Sequence, residues 1–266
     1  MNKETLIQNI KDKKSFLCVG LDSDIQKIPR SFFVEEDPVF AFNKAIIDAT
    51  KDYAVAYKIN TAFYEAQGIK GWLTLGKTLD YIPKECFTIA DAKRGDIGNT
   101  AEQYAKTFFE TYPFDSMTVA PYMGKDSVQP FLSFQNRWAI VLALTSNRGN
   151  ADFQMQEVDG MKLYEKVLKT TMEWGSPENL MFVVGATQPE QLAEIRKIAP
   201  DHFFLIPGVG TQGGDVKSVA EAALTKDIGI LVNVSRAIIF AGGEYDFQAG
   251  VAAAAADFQK QMLPFF

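Results

Sequence analysis

The chain has 266 residues, of which 47% are hydrophobic and 23% are charged, and this composition predicts one folded domain with a sizeable core over residues 1–266. The formal net charge of −6 argues against a broad basic face for nucleic acid, which needs clustered lysine and arginine. With a single histidine, His202, the chain cannot supply a multi-histidine zinc site, and Ser-His-Asp catalysis is not expected.

Short strand-like apolar runs recur along the chain, with amphipathic segments between them. In chain order the runs are 16–21, 55–59, 87–92, 116–120, 138–144, 181–185, 203–206 and 228–234. Apolar residues spaced three or four apart, as in helices, occur at 101–110, 163–174 and 190–198. Eight such repeats predict an α/β fold, the closed (β/α)8 TIM barrel. The competing architecture is a doubly wound open sheet, in which ligands gather at one switch point.

Two connections between these elements are long, at residues 24–37 and 147–160. The second directly follows the fifth strand. It has two interpretations: an active-site lid, since long loops in compact domains tend to be functional, or a tolerated surface insertion.

The sequence contains no export or membrane signal. No run of about 18 apolar residues occurs, and the first 16 residues lack the apolar core of a signal peptide. Cys18 and Cys86 both lie in strand-like runs, so we expect buried thiols rather than a disulfide framework. These features predict a cytoplasmic protein that does not bind membranes.

Charged side chains cluster at the end of the third strand, in the sequence DAKRGD. Asp91 and Lys93 are two residues apart, so strand alternation predicts that both point into the barrel. Asp96 follows in a glycine-flanked turn, from which it can reach its own site or a neighbour's. Asp22 closes the first strand and Lys58 closes the second. Four charged side chains are therefore expected to converge at the mouth where barrel enzymes carry out catalysis.

Such convergence needs an explanation, because burying a charge costs several kcal/mol per ion unless it is paired. One explanation is a stabilising ion-pair network, and the other is a catalytic site. Alternating lysines and aspartates would keep each other ionised, since a neighbouring opposite charge favours the charged form. The chemistry is therefore predicted to rest on lysine and carboxylate groups.

A phosphate site is predicted at the loops after the seventh and eighth strands, where many barrels bind phosphate with backbone N–H groups at a helix N-terminus. The sequence PGVGTQGG follows the seventh strand, and Arg236 follows the eighth. Gln212 in that loop can donate an amide hydrogen bond, and Arg236 can offer a two-pronged guanidinium. Ser146, after the fifth strand, suits either a contact to a polar ring edge or a helix cap.

These residues resemble the orotidine 5′-monophosphate decarboxylase family, and the resemblance runs across nearly the whole barrel. The family signature Asp-x-Lys-x-x-Asp-Ile-x-x-Thr is matched by Asp91, Lys93, Asp96, Ile97 and Thr100. The family's other ligand-binding positions are matched in order by Asp22, Lys58, Ser146, the loop 207–214 and Arg236. The wording DAKRGDIGNT and the long loops resemble the larger bacterial and archaeal branch.

The resemblance implies a decarboxylase that uses no cofactor and no metal and converts orotidine 5′-monophosphate to UMP and carbon dioxide. Lys93 would protonate C6 of the pyrimidine, with Asp91 beside the substrate carboxylate. Lys58 and Asp22 would hold ribose hydroxyls and orient the charged network.

The resemblance also implies roles away from the reacting carbon. Ser146 would contact the pyrimidine, while Gln212 and Arg236 would bind the 5′-phosphate. In the homodimer typical of the family, Asp96 and Thr100 would enter the site of the partner subunit.

Two other functions fit parts of the pattern. A sugar-phosphate lyase resembling 3-keto-L-gulonate 6-phosphate decarboxylase shares Asp-x-Lys-x-x-Asp, but it binds magnesium through an acidic ligand at the end of the second strand, where this chain has Lys58. A non-catalytic nucleotide-binding barrel would keep Arg236 and lose the charged cluster. Arg94, which stands where many relatives have an apolar residue, has no role assigned from the sequence, and a solvated side chain is the simplest interpretation.

Overall fold

A closed barrel of eight parallel strands forms the centre of the computed structural model, which describes residues 1–185, 188–210 and 215–266. In chain order, barrel strands 1 to 8 are Leu17–Leu21, Ala56–Asn60, Phe87–Arg94, Ser116–Val119, Trp138–Leu144, Leu180–Val184, Phe203–Pro207 and Ile230–Val234. Each strand pairs in parallel with the next along the chain, and strand 8 closes on strand 1. The prediction of a (β/α)8 barrel is confirmed, and the open-sheet alternative is wrong.

Helices connect the strands and cover the outside of the barrel. They are α1 Lys3–Lys13, α2 Pro38–Thr50, α3 Ala62–Glu65, α4 Ile69–Tyr81, α5 Gly98–Lys106, α6 Gln129–Leu132, α7 Leu163–Met172, α8 Pro189–Ile198, α9 Val216–Ala223, α10 Arg236–Ile239 and α11 Phe247–Met262. A π-helical turn, Thr107–Thr111, continues α5, so the helix expected at 101–110 is offset but present.

Both long connections contain local structure. The connection at 24–37 includes the 3-10 turn Arg30–Val34, and the connection at 147–160 includes the 3-10 turn Arg148–Asp152. The two-residue strand Glu157–Val158 pairs with Met161–Lys162 as an antiparallel hairpin before α7. The second connection therefore contains regular local structure, which fits both of its interpretations, a lid or a surface insertion.

Aromatic side chains fill the amino-terminal end of the barrel. Phe87, Trp138 and Phe203 begin strands 3, 5 and 7, and their rings meet edge to face at centroid distances of 6.2 and 6.4 Å. Side chains from alternate strands commonly share one layer inside such barrels. Because this end is filled with apolar rings, polar groups that need solvent or a ligand are left to the opposite mouth.

The cysteines and the histidine all lie in the protein interior. Cys18 and Cys86 are buried free thiols, as expected, and burial raises the pKa of the Cys18 thiol to about 12. His202 was expected at the polar edge of a strand, but it is 6% exposed and its ring lies 5.5 Å from that of Phe182. No helix in the described parts of the chain is long and apolar enough to cross a bilayer.

Candidate active site

A polar cavity of about 190 Å³ opens at the carboxyl ends of the barrel strands. Its walls come from the ends of six of the eight strands or from the residue or two that follow them. The lining residues are Asp22, Lys58, Asn60, Asp91, Ser146, Pro207, Gly208, Val209, Asn233, Ser235 and Arg236. The charged cluster and Arg236 therefore share one mouth of the barrel, as the sequence predicted.

Lys58 is the buried cation of the cluster. Its side chain lies on strand 2, and its Nζ atom donates to Asp91 Oδ2 at 2.9 Å and to Asp22 Oδ1 at 3.2 Å. Burial lowers the pKa of Lys58, but the negative charges of Asp91 and Asp22 raise it by more, so the pKa lies above its ordinary value. Lys58 is thus a fixed positive charge that links strands 1 and 3.

Asp91 lies between two ammonium groups. Lys58 contacts one carboxylate oxygen, and Lys93 donates to the other, Oδ1. Burial raises the pKa of Asp91, but the charges and hydrogen bonds of the two lysines outweigh that effect and hold the pKa well below its usual range. Asp91 is therefore a carboxylate throughout the neutral range, and the two lysines and two aspartates form one alternating chain of charges.

The backbone conformation that places Lys93 beside this cluster differs from the predicted one. Simple alternation does not extend to Lys93, because its φ of +46° places it in the left-handed region and strand 3 shifts its register against strand 4 between Ala90 and Arg94. The Lys93 side chain is 49% exposed while its Nζ atom contacts Asp91. Lys93 consequently lies at the exposed edge of the cluster, beside Asp91 but outside the set of residues that line the cavity.

The opposite wall of the cavity contains the residues expected to bind phosphate. Strand 7 ends at Pro207, and Gly208 and Gly210 follow with φ of +92° and +88°, a conformation that favours glycine. Arg236 begins α10 directly after Ser235 and is exposed. Gln212 lies outside the described residues, so its predicted contact stays a prediction.

The end of strand 5 contributes Ser146 and a network around its neighbour Thr145. The Thr145 N–H donates to Gln154 Oε1 at 2.8 Å, and Asn150 Nδ2 donates to the Thr145 carbonyl at 2.8 Å. These bonds tie the following loop back onto the strand end. Ser146 is thereby held on the cavity wall, opposite Gly185, where an added Cβ would lie 3.0 Å from the Ser146 nitrogen.

Four residues of the site were not singled out from the sequence. Asn60 ends strand 2 and Asn233 lies on strand 8, and both line the cavity with Ser235. Asn233 Oδ1 accepts from the Cys18 thiol at 3.6 Å, and the Ser235 hydroxyl is buried with no protein partner in the described structure. The fourth, Thr118, lies beneath Asp91 on strand 4. A polar residue inside an otherwise apolar strand is the signal that could have identified Asn233. Strand 4 contains Ser116 as well as Thr118, so the same signal does not single out Thr118.

Asp96 and Thr100 lie outside the cavity. Asp96 Oδ1 accepts from the N–H of Ile97 at 2.8 Å, and Thr100 is exposed in the first turn of α5. The side chains of Ile97 and Met123 nearby are 54% and 49% exposed. Within the described part of one chain, these two signature residues are therefore separate from the charged cluster.

Arg94 is not simply solvated, in contrast to the expectation from the sequence. Its guanidinium forms an ion pair with Glu65 on α3, donates to the Ala92 carbonyl at 2.9 Å, and lies 5.5 Å from the ring centres of Tyr104 and Phe108. Arg94 therefore joins the end of strand 3 to the helices outside the barrel.

Neither a group of metal-ligating side chains nor another cavity indicates a second functional site in the described part of the chain. Among the described residues, no group of three or more His, Cys, Asp or Glu side chains could hold a metal ion. A larger groove of about 910 Å³ lies outside the barrel between α2 and the start of α11. Its described lining includes none of the strand-end charges, so the smaller cavity is the candidate active site.

Comparison with known proteins gives consistent matches. A sequence model of the orotidine 5′-phosphate decarboxylase / HUMPS family matches residues 15–246. Orotidine 5′-phosphate decarboxylase of Bacteroides fragilis is 55% identical over 266 residues, covering 98% of this chain and 97% of that protein. The enzyme of the same name from Christiangramia forsetii is 56% identical over 265 residues, with the same coverage of both chains.

Solved structures match the fold over the same length. The Leishmania donovani OMP decarboxylase superposes with a TM-score of 0.85 at 36% identity, covering 100% of both chains. The orotidine 5′-phosphate decarboxylase of Pyrococcus horikoshii has a TM-score of 0.66 at 21% identity, covering 92% of this chain and 98% of that one. At that identity the second likeness supports the barrel fold alone.

Proposed function

The chain belongs to the orotidine 5′-phosphate decarboxylase / HUMPS family, and we infer from this that it is a carboxy-lyase of pyrimidine biosynthesis that converts orotidine 5′-monophosphate to UMP and carbon dioxide. The observation that supports this most directly is the alternating Lys–Asp cluster at the same mouth as Arg236. We further propose that residues 1–266 act as a single barrel domain.

The reaction needs a positive charge beside the carbon that loses its carboxylate. When the C6–carboxylate bond breaks, its electron pair stays on C6 in the plane of the pyrimidine ring, where the π system of the ring cannot delocalise it. A preorganised ammonium placed where negative charge develops stabilises that transition state. We assign this role to Lys93, which then transfers its Nζ proton to C6 and regains a proton from solvent. Its position at the exposed edge of the cluster supports the assignment.

The other charged residues keep Lys93 in place and set the field around it. Asp91 contacts both Lys93 and Lys58 and is held ionised. Because it lies beside Lys93, it would be close to the substrate carboxylate, and the two negative charges would repel each other. That repulsion is relieved as carbon dioxide leaves, and binding energy from distant parts of the substrate can offset it. Lys58 and Asp22 are assigned to ribose hydroxyls and to orienting Asp91.

We assign the binding energy from the part of the substrate distant from C6 to the phosphate side of the cavity. Arg236 would contact the 5′-phosphate dianion with a charge-assisted hydrogen bond, and Gln212 is proposed as a second donor. Gly208 and Gly210 allow the backbone after strand 7 to approach the phosphate oxygens closely. Ser146, on the wall between the two ends, is assigned to the pyrimidine ring.

We propose a homodimer in which Asp96 and Thr100 complete the site of the partner subunit. In the described chain neither residue lines the cavity, although both belong to the signature that contains Asp91 and Lys93. Ile97, Tyr122 and Met123 are exposed apolar side chains in the loops that follow strands 3 and 4. Exposed apolar surface is typical of sites that bind another protein.

The function is tested by incubating the purified protein with orotidine 5′-monophosphate and following loss of the orotate absorbance together with release of carbon dioxide. We expect turnover that a metal chelator leaves unchanged, and much slower turnover of orotidine, which lacks the phosphate. Conversion of 3-keto-L-gulonate 6-phosphate in place of orotidine 5′-monophosphate, abolished by the chelator, would contradict the proposal.

A further inference from the structure

The end of strand 3 contains a bulge at the residue that carries the reactive ammonium. Ala90 pairs with Met117 and Arg94 pairs with Val119, so four steps along strand 3 oppose two along strand 4. Lys93 lies inside this bulge with a φ of +46°. A left-handed conformation is uncommon for a residue other than glycine and persists only where neighbouring groups hold it. The direction of the Lys93 side chain therefore depends on what holds the bulge.

One buried hydroxyl contacts both sides of the bulge. Thr118 on strand 4 is 1% exposed, and its Oγ1 atom accepts a hydrogen bond from the backbone N–H of Lys93 at 2.9 Å. The same hydroxyl donates to Asp91 Oδ1, the oxygen that Lys93 also contacts, at 3.1 Å. The Ala90 carbonyl is farther, at 3.5 Å. Because a hydroxyl has one proton and two lone pairs, both short bonds can form together.

From this geometry we propose that Thr118 is a positioning residue for the decarboxylation, setting where the Lys93 ammonium and the Asp91 carboxylate lie relative to each other. The inference rests on the proposed function. The hydroxyl fixes the Lys93 backbone from one side and the Asp91 side chain from the other. Its loss would free the bulge while removing no charged residue and leaving the phosphate side of the cavity unchanged.

Two substitutions test the contributions of the hydroxyl and the methyl group of Thr118 separately. Thr118→Val keeps the volume and removes the hydroxyl, whereas Thr118→Ser keeps the hydroxyl and removes the methyl. We expect Thr118→Val to lower kcat by about 100-fold, the loss that a misplacement of about 1 Å can cause, with KM and UMP affinity little changed. Thr118→Ser should keep most of kcat. A role limited to packing predicts the opposite order, because the serine variant loses buried apolar surface.

The matched control is Thr171→Val. Thr171 is also 1% exposed, but its hydroxyl donates to the Val167 carbonyl within α7, on the outside of the barrel. We expect this variant to keep the wild-type kcat. If Thr118→Val does not fold, Thr118→Cys compared with Thr118→Ser makes the same test, since a thiol is a weaker hydrogen-bonding group of similar shape.

The outcomes distinguish this inference from the proposed function. A wild-type protein that does not turn over orotidine 5′-monophosphate removes the proposed function and this inference with it. An active wild type together with a Thr118→Val variant of normal kcat overturns only the positioning role. A variant that loses UMP affinity in parallel with kcat also overturns it, because the hydroxyl would then act on the whole cavity.

Discussion

At the scale of single residues, the site depends on buried charges, each of which is stable only because an opposite charge lies beside it. Lys58 is buried, and burial alone would favour its neutral form. It remains an ammonium because Asp22 and Asp91 lie at 3.2 and 2.9 Å. Removing one partner would leave an uncompensated buried charge, which is more costly than the original pair. The cluster therefore acts as a unit, and its members are expected to have strongly non-additive effects on rate.

Lys93 is expected to be required for chemistry and not for binding. Lys93→Ala should lower kcat by about 1,000-fold or more, since loss of a single preorganised electrostatic group costs about 100- to 1,000-fold and the proton donor is lost as well. UMP affinity, measured by calorimetry, should change little because the phosphate contacts remain. A variant with a near-normal kcat would show that Lys93 is not the proton donor.

Arg236 is expected to show the complementary behaviour. Arg236→Ala should weaken UMP binding by about 10- to 100-fold, the value of a hydrogen bond between charged groups. The same variant should turn over orotidine, which has no phosphate, at the wild-type rate. If the orotidine rate fell as steeply as the rate with the phosphorylated substrate, Arg236 would belong to the chemistry.

His202 predicts a stability change in mildly acidic solution. Burial, with the positive charges of Lys3 and Arg196 nearby, lowers the pKa of the folded protein's His202 to about 4 from 6.5. Between these values the unfolded chain binds a proton that the folded chain does not, so the free energy of unfolding falls as pH falls from 6.5 towards 4.

The loss from this group should reach about 1 kcal/mol between pH 7.5 and pH 5.5. Urea unfolding of the wild type and His202→Phe at both pH values measures it, and the variant should lose less stability on acidification. Equal losses in the two proteins would mean that His202 is protonated in the folded state.

At the scale of secondary structure elements, regular strands could be predicted and irregular strand ends could not. The predicted bounds of strand 5 match the observed ones, and those of strands 1, 2, 4, 6 and 7 lie within one residue at each end, because strands buried on both faces give continuous apolar runs. The bulge in strand 3 left no such signal. It depends on a hydroxyl of strand 4 and a guanidinium contact to α3, which are tertiary contacts between residues distant in sequence.

Arg94 is expected to stabilise the end of strand 3 against α3. The side chains of Arg94 and Glu65 are 20% and 31% exposed, so this ion pair is less screened than one on the surface. Arg94→Met should lower the free energy of unfolding by about 1–2 kcal/mol, a value between those of exposed and buried pairs. Urea titration measures the change.

The matched control for Arg94 is an exposed ion pair on α8. In the Lys197–Glu194 pair the side chains are 71% and 61% exposed, and Lys197→Met should change stability by less than about 0.5 kcal/mol. If both substitutions had the same small effect, Arg94 would be a solvated side chain after all.

At the scale of the whole molecule, the barrel separates stability from function along its axis. Aromatic rings of alternate strands close the amino-terminal end, and charged and amide groups surround the carboxyl-terminal cavity. The sequence was sufficient to predict the charged mouth, because strand ends and the residues after them can be recognised along the chain. The aromatic layer at the other end was not predicted. Whether Asp96 enters the site of its own subunit or that of a partner could not be predicted from the residues alone, since a turn can direct a side chain into either of two subunits.

The dimer proposal predicts recovery of activity on mixing two inactive variants. Lys93→Ala and Asp96→Asn each damage one half of a shared site, and in a mixed dimer one site combines the intact Lys93 of one chain with the intact Asp96 of the other. After unfolding and refolding an equal mixture, half of the dimers are mixed, so activity should reach about a quarter of the wild-type value. Mixing Lys93→Ala with Asp91→Asn is the control and should recover nothing, because both residues belong to the same half. Absence of recovery in the first mixture would place Asp96 in the site of its own chain.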